Sequence, residues 1–458
     1  MDIINSLAKN IIETTYERIP PEVVEMTKKE IMDSFAVAIA GSSAREVRAL
    51  LDLHQDWGGK KESSVWVYGE QFPCVNVALI NAVMIHARDF DDTHDPAIFH
   101  PAVVAVPTAF AIAERTGPIH GKDLLTAVAL GVDLAARLCL ACTDDYFAAG
   151  WHFTALHGTF SSTAIAGKLL GLDERTLVHA FGIAYHQAAG NLQCINDGAL
   201  TKRCGPGFSN RNGIMSALMA QKGITGAHHV LQGANGLFNQ YHRKLYKPER
   251  LTENLGVFFE GGKVSFKPYP CCRYGHSAID ATIYLMRKYG VKAEDVEKAV
   301  VRVGKNAYGI LADPIEIKRN PRTAVDAQFS LPWAVASALV HGSVTIVDII
   351  DEAIQNKEVL AVSNRVSAAV DADLCLPGIE PSIVELETKN GKTYSHRVNH
   401  PYGSPGNPMT LGALGEKLRM AVPYAAKPLR DDTVNDLLEA VYTLETIKDV
   451  RQIVDLLS

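Results

Sequence analysis

Long apolar segments with helical spacing fill most of the chain as far as Gly262, and they constrain the fold more than any other feature. Between Pro21 and Gly41, apolar side chains from Val24 to Ile39 recur near the period of an α-helix. Further segments are apolar on most sides, as expected of helices buried in a core; these are residues 78–87, 101–115, 123–141 and 159–170. The first part of the chain is therefore predicted to be all-helical.

Cap residues and apolar spacing predict two more helices in this region. Asp173 is a suitable N-cap for a helix that Gly190 ends, and a second helix is predicted from about Asn212 to Gly223. From Asn407 onward the chain returns to helical patterns. We expect this last segment to rejoin the first helical region.

Between these helical regions the pattern changes to that of a sheet. Residues 296–304 are rich in β-branched side chains, and residues 381–400 contain two strand patterns joined by Asn390-Gly391, a two-residue hairpin signal. Helical patterns also occur here, at residues 276–289, 327–341 and 345–355. The segment is predicted to be an α+β unit.

The predicted fold class is therefore mainly α. A chain of 458 residues exceeds the ~250–300 residues at which one hydrophobic core usually stops growing, so we expect two domains. Residues 1–262 and 401–458 are predicted to form a large all-helical domain from both ends of the chain. Residues 263–400 are predicted to form a smaller α+β lid.

Composition excludes several classes of function. The formal net charge of −6 and the scattered Lys and Arg residues provide no basic surface for nucleic acid. We see no secretory signal near the start, and Pro107 and Thr108 interrupt an apolar run that is too short to span a bilayer. The eight cysteines are spread widely, and Cys139 and Cys142 lie within an apolar helical pattern as two buried thiols. We expect a soluble cytoplasmic protein without membrane or nucleic-acid partners.

Four polar clusters stand at the edges of predicted helices. They are residues 86–101, with four acids and three histidines, and residues 151–159, 201–207 and 267–276. In the third cluster a basic group precedes Gly205-Pro206-Gly207, whose backbone amides we expect to be exposed and able to hold a carboxylate. Each cluster alone is more often architectural than catalytic. Four such clusters together favour one shared polar pocket.

The first cluster also contains a candidate magnesium motif. Asp91, Asp92 and Asp95 match the DDxxD spacing of helical synthases that process isoprenoid-type diphosphates with Mg²⁺. Pro96 disfavours a helix at this point, and a second acidic motif is missing. The competing interpretation is an acidic loop that complements the dipole of the helix starting near Pro101.

An ordered set of motifs resembles the MmgE/PrpD family over nearly the whole chain. The motifs are DFDDTH followed by HP, GWHFTALHGTF, TKRCGPG, QKGITG, KPYPCCRYGH, FSLPW and GNPMT. The resemblance implies a helical domain with a lid, a pocket at their junction and a homodimer. It also implies a dehydratase, decarboxylase or epimerase of polycarboxylic acids.

The resemblance also implies the residues of the pocket. The expected catalytic residues are His100, His152, Lys202, His276 and Asp89, and the expected substrate-binding residues are Thr93, Arg273, Lys267 and Trp333. Fixed cations would hold a carboxylate as charge develops beside it, and histidines would move protons near neutral pH. We expect no metal ion and no organic cofactor.

Three positions depart from parts of the family pattern. Asp91 stands where dehydratases tend to have Asn, Trp333 stands where decarboxylases have a tyrosine, and Gly205 often corresponds to a histidine. The leading hypothesis is a cofactor-independent lyase acting on a small di- or tricarboxylic acid. The alternatives are a dicarboxylate epimerase of the same family, the Mg²⁺-dependent synthase, and a helical protein that binds a metabolite without turnover.

Overall fold

The computed structural model describes residues 2–144, 149–430 and 432–457, and α-helices make up most of it. The helices before residue 262 are α1 Ile3–Glu13, α2 Pro21–Gly41, α3 Arg45–Trp57, α4 Cys74–His86, α5 Ala102–Thr116, α6 Gly121–Ala141, α7 Phe153–Leu169, α8 Glu174–Gln187, α9 Gln193–Asn196, α10 Thr201–Gln221, α11 Leu237–Gln240 and α12 Glu249–Thr252. The later helices are α13 His276–Tyr289, α14 Lys305–Leu311, α15 Ile315–Arg319, α16 Ala324–Gln328, α17 Leu331–His341, α18 Lys357–Ser363, α19 Leu411–Ala421, α20 Thr433–Tyr442 and α21 Arg451–Asp455.

The strands form three small sheets in the described residues. They are β1 Ser63–Ser64, β2 Gln71–Phe72, β3 Thr93–His94, β4 Val264–Ser265, β5 Val296–Val303, β6 Val366–Val370, β7 Ser382–Thr388 and β8 Thr393–Val398. β1 pairs with β2, and β3 pairs with β4, antiparallel in both cases. The β3–β4 pair joins the first polar cluster directly to the segment that leads into the fourth. The prediction that the chain is mainly α is confirmed.

The predicted helices of the first region are present, with one shifted end. Asp173 caps α8 by accepting a hydrogen bond from the backbone N–H of Thr176 at 2.7 Å, as predicted. The helix ends at Gln187 rather than at Gly190. The chain turns away at this point because Asn191 forms an isolated β-bridge with Trp151.

Helix α10 starts eleven residues earlier than the pattern predicted, and it includes Gly205, Pro206 and Gly207. The prediction of exposed amides in this segment is therefore wrong. A Cβ atom on Gly207 would lie 2.8 Å from the backbone oxygen of Leu79 in α4, so glycine allows the two helices to approach closely. Close packing therefore outweighs the low helix propensity of this sequence.

The sheet of the later region has four strands in the order β6-β5-β7-β8 within the described residues. β5 and β6 are parallel, and the other neighbours are antiparallel. Side chains of β7 alternate between buried and more exposed positions. The hairpin after β7 is also confirmed, but Thr388 and Lys392 close a three-residue loop with Gly391 at φ +80°, instead of a two-residue turn.

Two helical predictions in this region need correction. The pattern at 327–341 is divided at Ser330, whose side chain accepts a hydrogen bond from Trp333 N–H and thereby starts α17. Residues 345–355 contain two short 3-10 turns, Ile346–Asp348 and Ala353–Gln355, instead of one helix. The side chain of Asp348 accepts hydrogen bonds from both N and Oγ1 of Thr345, which caps the first turn locally.

Residues from both ends of the chain share one hydrophobic cluster. Phe35 in α2 belongs to the same buried cluster as Leu414 in α19 and Leu437 in α20. A buried ion pair joins Asp33 to Lys417 at 2.6 Å across the same contact. The division of the chain at residues 262 and 400 stays a prediction.

Helix α6 is 21 residues long, and it is the described helix that is long and apolar enough to cross a membrane by length and composition. The apolar run that Pro107 interrupts lies in the shorter helix α5, so α6 is the longer apolar segment. Within the protein, 94% of the apolar window of α6 is buried. This burial is typical of a core helix.

The start of α6 generates a stability prediction. A Cβ atom on Gly121 would lie 1.7 Å from the backbone oxygen of Leu444, so Gly121→Ala must force α6 and the C-terminal segment apart. We expect the free energy of unfolding to fall by about 1–3 kcal/mol in urea titrations. Gly309→Ala is the matched control because that helical position faces open space, and it should be neutral or stabilising. Equal stability of the two variants would contradict the packing argument.

Candidate active site

A cavity lies where the helical region meets the segment after residue 262. It encloses about 570 Å³ including its mouth. Its polar lining side chains come from all four predicted clusters; they are Asp89, Thr93, His94, Asp95, His100, His152, Thr154, Lys202, Lys267, Cys272 and Arg273. The structure therefore brings together seven of the nine predicted site residues, and His276 and Trp333 do not line this cavity.

Asp89 is the central anion of the cavity wall. Its side-chain oxygens accept hydrogen bonds from Lys202 Nζ at 2.5 Å and Lys267 Nζ at 3.0 Å, and Lys267 also donates to the Asp89 backbone oxygen at 2.8 Å. Burial alone would raise the pKa of Asp89, but the two ammonium groups outweigh it and hold that pKa well below its ordinary value. Asp89 is therefore ionised, and it orders both lysines at the cavity.

Arg273 is the third cation of the cavity wall, and not all of its N–H groups are hydrogen-bonded within the described residues. Its NH1 group donates to His276 Nδ1 and to the backbone oxygen of Tyr402, both at 3.1 Å. Among the described residues, Nε and NH2 of Arg273 are buried without a hydrogen-bond partner, although Nε lies 3.5 Å from an oxygen of Asp95. Buried guanidinium donors of this kind are suited to a carboxylate ligand.

His276 lies beneath Arg273. Its Nδ1 accepts the hydrogen bond from Arg273, and its Nε2 donates to the backbone oxygen of Cys271 at 3.2 Å. Burial, together with the charges of Arg273 and Lys267, lowers the pKa of His276 well below its ordinary value. The neutral ring therefore orients Arg273, and its position differs from that predicted for a proton carrier in contact with substrate.

Trp333 and Thr93 also differ from their predicted arrangement. Trp333 is buried in the core of the later region, and its indole Nε1 donates to the backbone oxygen of Asp348 at 2.8 Å. Thr93 does line the cavity, but its hydroxyl donates to Asp95 at 2.7 Å. Thr93 therefore presents an acceptor to a ligand while this bond persists, whereas a substrate carboxylate requires a donor.

His100 is held by acceptors on one side of its ring. Nδ1 donates to the backbone oxygen of Asp92 at 2.7 Å and lies 3.3 Å from a carboxylate oxygen of Asp91. When the ring is neutral, Nδ1 carries the proton and Nε2 carries the unshared lone pair. Since His100 lines the cavity, Nε2 is the ring nitrogen available to a ligand.

His86 supports this arrangement and was not among the predicted site residues. It donates from Nδ1 to Asp91 at 2.7 Å, and its ring packs edge-on against that of His100 at 4.8 Å. Burial lowers the pKa of His86 to about 4 despite the neighbouring Asp91. The apolar pattern of α4 gave no reason to single out its last residue, although the short distance to Asp91 in the sequence was a usable signal.

His152 stands immediately before α7 and is almost fully buried at the cavity. Burial, and then the positive charge of Lys202, lower the pKa of His152 well below its ordinary value. A Cβ atom on Gly205 would lie 3.1 Å from Nδ1 of His152, so the glycine leaves room for this ring. The low pKa keeps this imidazole neutral beside Lys202.

The carboxylates of the DDxxD motif do not converge. Asp91 accepts from histidines, and Asp92 accepts from the backbone N–H of Ala102 at the start of α5. Asp95 accepts from Thr93 and from the hydroxyl of Ser265. The segment is a short strand and a 3-10 turn rather than a helix, so the structure contradicts the magnesium-synthase alternative.

Comparison with known protein families identifies the class of protein. The MmgE/PrpD N-terminal domain matches residues 5–248, and the MmgE/PrpD C-terminal domain matches residues 269–441. The chain therefore belongs to the MmgE/PrpD family, and it is an enzyme of that family. The predicted resemblance is confirmed.

Individual relatives cover most of the chain at low identity. Cis-aconitate decarboxylase of Aspergillus terreus is 26% identical over 461 residues, which is 96% of this chain and 92% of the relative. The human cis-aconitate decarboxylase is 26% identical and covers 95% of this chain and 90% of its own length. The 2-methylcitrate dehydratase of Escherichia coli strain K12 is 24% identical and covers 74% of each chain.

The pKa of His86 generates a prediction for stability against pH. The ordinary pKa of histidine is about 6.5, whereas the pKa of buried His86 is about 4. Between these pH values His86 is protonated in the unfolded chain and stays neutral in the folded chain. The free energy of unfolding should therefore fall with falling pH by up to about 1.4 kcal/mol per unit from this group. His86→Gln should make that slope shallower in urea titrations at pH 6.5 and 4.5.

Removal of an exposed histidine is the control for this measurement. His120→Gln alters a surface position and should leave the slope of the wild-type protein unchanged. If the dependence of unfolding free energy on pH were the same in His86→Gln as in the wild-type protein, His86 would not be the group that stays neutral in the folded chain.

Proposed function

We propose that this protein is a cofactor-independent lyase that acts on a small di- or tricarboxylic acid. The reaction is of the dehydratase or decarboxylase type and moves a proton at a carbon next to a carboxylate. The observation that carries the proposal is the meeting of Lys202, Lys267 and Arg273 with His100 and His152 around one cavity. We further propose a homodimer, which the family resemblance supports, and a cytoplasmic location, which the widely spread free cysteines support.

Charge balance favours an anionic substrate. The cavity is lined by three permanent cations, whereas Asp89 and Asp95 are the carboxylates in its lining. The wall thus has an excess of one positive charge when the histidines are neutral. Buried cations without full compensation attract a carboxylate strongly, because water screens them poorly in such a site.

Fixed cations also address the chemical difficulty of the reaction. Loss of a carboxylate as carbon dioxide, or loss of a proton before water leaves, places an electron pair on a carbon beside a carboxylate. Cations that are already ordered before the reaction stabilise this charge without reorganisation. Asp89 keeps Lys202 and Lys267 in place, and His276 keeps Arg273 in place.

His100 and His152 are the proposed proton carriers. His100 offers Nε2 to the cavity because its Nδ1 is bound to Asp92 and Asp91. In decarboxylation one of these rings, once protonated, returns one proton to the carbon that lost carbon dioxide. In dehydration one ring removes the carbon-bound proton, and an acid protonates the leaving hydroxyl.

The cis-aconitate decarboxylases of Aspergillus terreus and human align with nearly the whole chain, whereas the 2-methylcitrate dehydratase of Escherichia coli aligns with a smaller part. This difference favours decarboxylation of a cis-aconitate-like acid as the first reaction to test. The dicarboxylate epimerase remains the alternative within the family.

A substrate panel in deuterated water separates these reactions. The purified protein is incubated with cis-aconitate, citrate, 2-methylcitrate and amino-dicarboxylates, and the products are followed by NMR. From at least one acid we expect either release of carbon dioxide, with one deuterium entering at the carbon that lost it, or loss of water, with the carbon-bound proton passing to solvent. Exchange with inversion alone would establish the epimerase alternative, and inertness toward every acid at all pH values would contradict the proposal.

Lys202→Met tests the charge argument on the active acid. The variant keeps most of the side-chain volume and removes the cation beside Asp89, so we expect kcat/KM to fall at least ~100-fold, as for loss of a group that stabilises a transition-state charge. Lys222→Met is the control because Lys222 is exposed at the end of the same helix. Full activity of Lys202→Met would overturn the mechanism.

His276 is a positioning residue, and its variants should affect binding more than turnover. His276→Leu removes the acceptor for Arg273 NH1, and we expect KM to rise about tenfold, the equivalent of one hydrogen bond, with a smaller change in kcat. His276→Asn keeps an acceptor near Nδ1 and should recover most of the lost affinity. A loss confined to kcat in both variants would instead indicate that His276 transfers protons.

A further inference from the structure

A second cluster of ligand side chains lies outside the active cavity, where three segments of the helical region meet. Cys142 follows the end of α6, His157 lies in α7, and His242 follows α11. One atom from each of these three side chains lies within 4.8 Å of the others. Both histidines are fully buried, and Cys142 is partly buried.

Two of the three distances between these atoms match a tetrahedral metal centre. His157 Nε2 and His242 Nε2 are 3.3 Å apart, and Cys142 Sγ is 3.6 Å from His242 Nε2. With zinc bonds of about 2.3 Å to sulfur and about 2.0–2.1 Å to nitrogen, tetrahedral angles require about 3.3–3.4 Å between nitrogens and about 3.6 Å between sulfur and nitrogen. We propose that Cys142, His157 and His242 bind a structural Zn²⁺ ion.

Outer hydrogen bonds orient both imidazoles for this role. Asp144 places a carboxylate oxygen 3.1 Å from His242 Nδ1, and Cys139 Sγ lies 3.1 Å from His157 Nδ1. Each ring thus has a partner on Nδ1 and turns Nε2 toward the common point. A carboxylate on the far nitrogen of a histidine is the usual support for a zinc ligand, because it fixes the tautomer and raises basicity.

A chain of hydrogen bonds without metal accounts for less of this geometry. Such a chain would run from Cys139 through His157 and His242 to Asp144. Its central contact of 3.3 Å between two ring nitrogens is longer than an ordinary N–H hydrogen bond. In such a chain the Cys142 thiol donates to the backbone oxygen of Leu138 at 3.3 Å, and its 3.6 Å contact with His242 Nε2 is not a hydrogen bond, since the single lone pair of that nitrogen already accepts from His157.

Charge and surroundings suit a divalent cation. The Cys142 thiol would release its proton to solvent on binding, so the thiolate and the Asp144 carboxylate together balance the two charges of Zn²⁺. The ring of Phe153 covers the site, with its centre 4.8 Å from that of His157 and 5.8 Å from that of His242. The ion would thus be shielded on one side by an aromatic ring.

The proposed ion would link three elements, two of which, the end of α6 and the segment after α11, are already joined by backbone hydrogen bonds such as that from Lys247 N to the Ala141 oxygen. It would fasten the end of α6 and the segment after α11 to α7, the helix that follows His152. His157 lies in the first turns of α7, five residues after His152. The ion would therefore hold the N-terminal part of the helix that directly follows this cavity histidine. This role is structural, and it is separate from the cofactor-independent reaction proposed for the cavity.

The other described group of possible ligands, which consists of His86, Asp89 and His100, is a poor cation site. Asp89 already binds two lysine ammonium groups there, and these repel a metal ion. That group also lacks a sulfur ligand. A spectroscopic signal from a metal–thiolate bond therefore separates the two locations.

Metal content of the intact protein is the first test. Chains are stripped with a chelator, incubated with excess Zn²⁺, desalted and analysed by elemental mass spectrometry. We expect about one Zn²⁺ per chain in the wild-type protein. In Cys142→Ser we expect at least ~90% of the bound zinc to be lost, because removal of one of three protein ligands greatly lowers the affinity for the ion. Cys139→Ala should retain the ion because Cys139 touches only the outer nitrogen of His157, and Cys375→Ser controls for an exposed thiol.

Cobalt substitution tests the same site without any variant. Co²⁺ in a tetrahedral site with one thiolate gives visible d–d bands and a near-ultraviolet sulfur-to-cobalt band. We expect both in the wild-type protein, together with a melting temperature that rises with Zn²⁺. Absence of the sulfur band, absence of bound zinc, or loss of zinc in Cys139→Ala with retention in Cys142→Ser would overturn the proposal.

Discussion

Asp89 joins three parts of the chain at one buried point. It follows α4, it binds Lys202 from the first turn of α10, and it binds Lys267 from the segment after β4. Taking these charges out of water is costly, and each is tolerated only because the others are present. Any displacement of the later region relative to the helices would leave a buried charge unpaired. The position of the cavity wall therefore depends on this ion-paired centre.

Groups behind the cavity wall set the orientation of the groups on it. Neutral His276 orients Arg273, and Asp91 with His86 orients His100. Burial and neighbouring charge keep His86 and His276 neutral, so they hold one hydrogen-bond pattern over the physiological range. Such a layer allows cations and bases to be ordered before a substrate arrives, which is what stabilisation of a developing charge requires. The proposed zinc ion would extend the same principle to the base of α7.

Helical periodicity and β-branched runs were sufficient to predict the main helices, the strand β5 and the hairpin of β7 and β8. The pattern failed where tertiary packing decides the local structure. Helix α10 continues through Gly205-Pro206-Gly207 because small residues let it approach α4. Residues 345–355 form short 3-10 turns instead of one helix, and the Asp348 side chain caps the first of these turns. His86 was missed because its role depends on a neighbour beyond the end of an apolar helix.

The sequence by itself determined the mainly helical class, the four polar clusters and the family, because these depend on short-range periodicity and on ordered motifs. Only the tertiary structure decided that His276 supports Arg273, that Trp333 is a core residue and that the acids of the DDxxD segment turn in different directions. Motif spacing reports which residue types are near one another along the chain. The direction of a buried side chain is set by all its neighbours in the folded chain, and some of these, such as Ser265 for Asp95 and Tyr402 for Arg273, are more than a hundred residues away.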